Sequence, residues 1–263
     1  MGFTKYWESA KISFNNNLMY KADFLANSLF IGLIIFIFTN LWKVVYSTES
    51  GIIEGFTINM MIWYFLLTES IVTSPGKVIE TFGEEVQSGE IAHQLNKPYN
   101  YVLFKYSSNI SETILRFFFT FSIGAIIALT FVGGIIVDWK TLPFIAIVIF
   151  LALTLHFCIM ALLGVFVFWM EDAKALSFLY NKLVFVIGGM ILPLEIFPPW
   201  LAKISAVLPF SYVAYHPAKL FVMFSWDSFF KVALTEIAWI VVTIGLIAIF
   251  YNFFIKKLSI NGG

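Results

Sequence analysis

Glu84 and Glu85 stand side by side, Glu112 and Arg116 stand four apart, and Glu69 and Glu236 interrupt runs of apolar residues. With three histidines and a single cysteine, these are the groups that could move a proton, hold a metal or attack a bond. Their spacing argues against most of that chemistry. His93, His156 and His216 fall in three separate segments without HExxH spacing, so a zinc protease is not indicated and no metal site is expected. Residues Val86 to Glu90, which follow the adjacent glutamates, include no Arg to complete a protease-like carboxylate site. Gly76-Lys77 lacks both the upstream glycine and the following Ser or Thr of a phosphate-cradling loop, so any ATP must be hydrolysed by another chain. There is no Gly-x-Ser-x-Gly turn. Cys158 lies in an apolar run and reads as a packing residue, as does His156 in mid-span. No catalytic residue is expected.

Glu112 and Arg116 are spaced to lie side by side on one helix face, which makes them an ion pair or a gate. Glu69 has three readings: a partner of Lys77, a partner of Arg116, or a residue lining an entrance. Glu236 either faces a path through the protein or sits at headgroup level. Ionisable groups near a bilayer are costly enough to be paired or functional.

The elements that carry these groups follow from composition. Of 263 residues, 60% are hydrophobic and only 12% charged, and the mean hydropathy is +0.89, far from soluble-domain averages. This predicts an all-α integral membrane protein. Zero net charge offers no field for nucleic acid,. Six transmembrane helices are predicted, at 24–44, 58–72, 113–136, 142–170, 175–192 (stopped by Pro193) and 232–255. A cleavable signal peptide is not expected, since the first apolar run starts only near Phe24. Ahead of it, Phe3, Tyr6, Trp7, Ala10, Phe14 and Leu18 recur at helical steps between polar residues, so 1–22 reads as an amphipathic helix in the membrane interface.

Even-numbered spans put both termini on one side. With that side cytoplasmic, only Lys43, Lys140, Lys203, Lys219 and Lys231 of the sixteen Lys and Arg residues face outward, as the positive-inside bias requires. The polar stretch 75–110 is then cytoplasmic. It holds Glu80, Glu84, Glu85 and Glu90, and Gly89 and Pro98 limit it to a short helix or two. The last outer loop, 193–230, is apolar and aromatic yet broken by Pro198, Pro199, Pro209 and Pro217. Short re-entrant helices are the solution that buries it.

Three motifs carry a family resemblance. SGEIAHQLNKPYNYVLFKY from Ser88 has Gly89, Ile91, Leu95 and Pro98 in sequence; ILPLEIFPPWLAKISAVLPF from Ile191 holds Pro193, Pro198, Trp200, Pro209 and Phe210; NNNLMYKADF from Asn15 precedes the first span. Together, at these positions among six spans, they resemble the permease subunits of type-2 ABC exporters. The resemblance implies a cytoplasmic coupling helix formed by Glu84, Glu85, Gln87, Gly89, Glu90, Ile91, Leu95 and Pro98, docking on a separate ABC ATPase. It also implies two ATPase copies that hold ATP and Mg, a second permease (identical or related), and a plasma-membrane location. No cofactor is expected on this chain. Its aromatic richness suits a drug, lipid or peptide cargo. An ATPase-independent secondary transporter or assembly factor is the rival, but such transporters place carboxylates at mid-membrane rather than at span ends.

Overall fold

In a computed structural model, residues 4–19, 21–48, 52–135, 137–170 and 172–255 are described. Phe3, Tyr20, Ile136, Lys256 and Lys257, and the side chains of Leu18, Lys21 and Phe24, lie outside that description.

Twelve α-helices are found among these residues: α1 (Thr4–Met19), α2 (Lys21–Thr48), α3 (Ile58–Thr73), α4 (Val78–Gln87), α5 (Glu90–Leu95), α6 (Tyr101–Phe131), α7 (Leu142–Met170), α8 (Ala173–Val186), α9 (Pro199–Val207), α10 (Pro209–Val213), α11 (Tyr215–Val222) and α12 (Trp226–Phe254). Among the described residues, four stretches are long and apolar enough to cross a membrane: Leu29–Ser47, Tyr101–Phe131, Leu142–Met170 and Trp226–Phe254. At 1.5 Å per residue, the 16 residues of α3 and the 14 of α8 reach about 24 and 21 Å, short of a hydrocarbon core of about 30 Å.

The bundle is built around α3 and α7. Every residue of α3 from Met61 to Ile71 is buried, and α7 buries residues around its whole circumference, as a helix apolar on all sides does when enclosed by others. α12 lies along α7, and α2 and α6 close the other side of α3. At one end α4 crosses the C-terminal half of α7; at the other, α10 and α11 cover its N-terminal half.

Local chemistry sets the helix ends. Thr57 caps α3, its hydroxyl accepting from the Met60 N–H at 3.4 Å. Just before it, strands β1 (Ile52–Ile53) and β2 (Phe56–Thr57) form a small antiparallel hairpin. Glu54 and Gly55 turn it with positive φ at both positions, the backbone a two-residue hairpin needs.

Several expectations change in the structure. The third predicted span, 113–136, starts far earlier, at Tyr101, because the Asn100 side chain accepts from the Leu103 N–H at 2.9 Å and caps the helix there. It ends at Phe131, ahead of Gly133 at φ 80°. The segment predicted over 175–192 is helical only to Val186, so Pro193 is not what stops it. At Gly188 a Cβ would meet Val184 O at 2.3 Å and Phe210 O at 3.0 Å, so the backbone of α10 approaches where a side chain would otherwise stand. Gly189 then takes φ 71°, a left-handed turn that glycine adopts freely. Finally, the expected apolar stripe of α1 splits, with Tyr6 and Ala10 half-buried while Trp7 and Phe14 are exposed.

Candidate functional site

α4 and α5 form an elbow between α3 and α6. Val78, Ile79 and Phe82 give α4 one buried face, and Phe82 lies against Gly164 of α7, where a Cβ would come within 2.8 Å of its ring. The same ring stacks on Phe168 at 5.9 Å and meets Tyr101 edge-on at 5.2 Å. At the next residue, a Cβ at Gly83 would lie 2.7 Å from the Ala173 Cβ. Two glycines thus let α4 seat directly on α7 and the start of α8. Gly89, at φ 74°, makes the bend into α5.

This packing divides the predicted coupling residues. Glu84, Gln87, Glu90 and Pro98 are exposed, as are Ser88 and His93. Glu85 and Ile91, expected on the docking surface, are buried instead, 8% and 1% exposed. The reason is rotation: adjacent helix residues point about 100° apart, so with Phe82 turned inward Glu84 faces out and Glu85 faces α6. There the Glu85 carboxylate accepts from the Tyr101 hydroxyl and forms an ion pair with Lys105. Leu95 is half-buried. Beneath the elbow, the Gln94 amide donates to Glu90 at 2.9 Å and its carbonyl accepts from Tyr99 and Lys97.

α1 is clasped to the elbow's exit. The Lys5 ammonium donates to the Pro98 carbonyl, the Asn100 N–H donates to the Tyr6 hydroxyl at 2.9 Å, and the Ser13 hydroxyl donates to the Ser108 carbonyl at 3.0 Å. A displacement of α5 would therefore be felt by both α1 and α6.

The remaining candidates sort clearly. Glu112 and Arg116 do form an ion pair, beside a cavity of about 560 Å³ that also holds Lys77 and Asn109. Glu69 is buried and makes no ion pair with Lys77 or Arg116 among the described residues, nor does it line that cavity. Glu236 is fully buried within the chain, and among the described residues neither carboxyl oxygen has a hydrogen-bond partner. His156 is buried with its ring 5.5 Å from that of Tyr180.

At the opposite end the prolines act as helix starts. Pro193 precedes a 3-10 turn at Leu194–Ile196, Pro198 precedes α9 and Pro209 opens α10. Trp200 is exposed, while Phe210 reaches the Tyr180 ring at 6.2 Å. A network missed by sequence reasoning holds these pieces. Glu195 accepts from Tyr215 at 2.6 Å and pairs with Lys219. Burial raises the Glu195 pKa, but the Lys219 and Tyr215 hydrogen bonds outweigh it and leave the group below its ordinary value. Tyr64 and Thr68 of α3 donate to the carbonyls of Gly189 and Met190, the latter at 2.7 Å. The four-residue spacing of Tyr215 and Lys219 was the available signal; the acceptor, Glu195, lies 20 residues before Tyr215.

No curated protein matches the chain. The family described as ABC-2 family transporter protein matches residues 30–262, which takes in the elbow, the proline-rich loop and all of the helices from α3 to α12. The chain therefore belongs to the ABC-2 family of transporter proteins, as a permease subunit.

Proposed function

We propose that this permease is the membrane-spanning half of an ATP-driven exporter of amphipathic or hydrophobic molecules, and that a separate ABC ATPase docks on the α4–α5 elbow. The observation that carries the reading is the elbow's construction. Its outer side presents Glu84, Gln87, Ser88, Glu90 and His93; its inner side is fastened to α7 through Phe82 and to α6 through Glu85. A push on such an element is transmitted to two long helices rather than absorbed by a loop. Exposed carboxylates steer docking onto a basic groove.

In this reading α3 and α8 complete six spans despite their length. α3 is enclosed by protein on every side, and the turn after α8 is carried further by hydrogen bonds from Tyr64 and Thr68, so backbone at membrane depth stays satisfied. The elbow and α1 are cytoplasmic, and α9–α11 lie in the outer leaflet of the plasma membrane. Two ATPases, carrying ATP and Mg, serve a pair of permeases. ATP-driven closure moves both elbows and opens the seam between the permeases outward.

Affinity purification from mild detergent followed by mass spectrometry tests this directly. A P-loop ATPase at about one copy per permease is expected, and a second six-span chain would mark a heterodimer. Glu84→Lys combined with Glu90→Lys should release the ATPase while leaving the permease folded. A permease that is isolated alone and transports in liposomes without ATP would overturn the proposal and install the secondary-transporter reading.

A further inference from the structure

Two cavities of opposite character share the seam between α6 and α7. The first, about 560 Å³, lies where the α3–α4 link faces α6, and Lys77, Lys105, Asn109, Glu112 and Arg116 are on its wall. The second, about 380 Å³, is lined only by apolar side chains, among them Leu67, Phe117, Phe121, Ile149 and Leu153. They follow one another along the same three helices. On α6 the polar lining ends at Arg116 and the apolar lining includes Ile114 and Phe117; on α7 Phe157 belongs to the first cavity and Leu153, one turn away, to the second; on α3 the corresponding pair is Thr73 and Leu67.

Among the described residues, the side chains on the polar wall carry a positive balance. Lys105 is matched by Glu85 and Arg116 by Glu112, whereas Lys77 stands exposed at the rim with no ion pair among the described residues. Asn109 is oriented by Thr113, whose hydroxyl donates to its carbonyl oxygen at 3.2 Å, leaving its amide N–H groups to face the link. Gly76 leaves space there: a Cβ would stand 3.5 Å from both the Asn109 nitrogen and the Glu112 carboxylate. Ammonium, guanidinium and amide donors around one space suit a phosphate. An apolar slot beginning one turn deeper suits a hydrocarbon chain, and no soluble anion would use it. α1 crosses α6 at the same end with Trp7 exposed, a residue type enriched at headgroup level.

We propose that this intra-subunit seam holds one anionic phospholipid of the cytoplasmic leaflet, with its phosphate beside Lys77, Asn109 and Arg116 and one acyl chain along Phe117, Phe121 and Ile149. The site requires that α6 and α7 span the bilayer, and its assignment to the cytoplasmic leaflet rests on the orientation proposed above. It is separate from the elbow's exposed face, so it stands or falls independently of the ATPase reading.

Native mass spectrometry of the detergent-purified protein, titrated with dioleoyl phosphatidylglycerol, dioleoyl phosphatidylcholine, short-chain dihexanoyl phosphatidylglycerol or glycerol phosphate, tests it without nucleotide or partner. The expected result is one saturable phosphatidylglycerol per chain, bound at least about fivefold more tightly than phosphatidylcholine, the contribution of roughly one lysine near an anionic surface. Lys77→Gln should remove that preference, whereas Lys174→Gln, an exposed lysine at the start of α8, should not. Ala146→Phe, which adds bulk at an exposed position lining the apolar slot, should abolish the advantage of long over short chains while keeping the headgroup preference. Equal binding of both headgroups, equal effects of the two lysine substitutions, or full competition by glycerol phosphate would each overturn the proposal, the last by assigning the site to a soluble phosphate compound.

Discussion

Replacing Glu85 and replacing its neighbour Glu84 should have opposite consequences. Glu85 is buried, accepts from the Tyr101 hydroxyl and pairs with Lys105, and the two charged side chains are 10% and 16% exposed. Glu85→Ala deletes two hydrogen bonds to a charged group, each contributing about 1.5–3 kcal/mol, and leaves Lys105 largely buried without its counter-charge. Residual solvent access reduces the total, so the expected loss of stability is about 2–4 kcal/mol. At roughly 2–4 °C per kcal/mol for a chain of this size, the melting temperature should fall by about 4–16 °C. Glu84 is exposed, and Glu84→Ala should stay within about 0.5 kcal/mol of the parent. Thermal unfolding in one detergent, followed by intrinsic fluorescence, compares the two directly. A double-mutant cycle with Lys105→Met should return a coupling of about 1–3 kcal/mol for Glu85 and none for Glu84. Equal melting temperatures for Glu85→Ala and Glu84→Ala, or no coupling to Lys105, would refute the internal anchor and return Glu85 to the docking face.

Other outcomes follow from the same packing. Gly164→Val should force the Phe82 ring, now 2.8 Å from where a Cβ would stand, off α7; a loss of about 1–3 kcal/mol is expected for such overpacking, read as a lower melting temperature and weaker ATPase co-purification. His216 is held low, at about 4, by burial first and the nearby Lys219 charge second, with Glu195 opposing. Because its folded pKa lies below the ordinary 6.5, the stability linked to it is full above 6.5 and is lost as pH falls from there toward 4. His216→Gln should flatten the melting temperature across that window, and an unchanged slope would remove His216 from the account. Topology is open to thiol labelling because the single cysteine, Cys158, is buried. Lys203→Cys on the exposed side of α9 should react with an impermeant reagent in intact cells, and Ser88→Cys should react only after lysis; the reverse pattern would invert the proposed orientation. Ser205 would be a poor reporter, since it is fully buried.

What the sequence determined was whatever depends on neighbours along the chain. Runs of apolar residues long enough for a bilayer appear as α2, α6, α7 and α12 because helix length and hydropathy are local properties. The four-residue spacing of Glu112 and Arg116 was enough to bring them together, since one turn of helix does so whatever surrounds it. Gly89 and Pro98 likewise delimited the short helices of the polar stretch. Tertiary structure decided everything that depends on which face is covered. Glu84 and Glu85 are indistinguishable in sequence; the contact of Phe82 with Gly164 sets the rotation of α4 and sends one outward and the other to Lys105. Similarly, α8 ends at Val186 because the backbone of α10 occupies the space beside Gly188, and Glu195 finds Lys219 only once the proline-broken loop has folded back across 24 residues. Such contacts arise from close packing between elements distant in sequence, and no period along the chain encodes them.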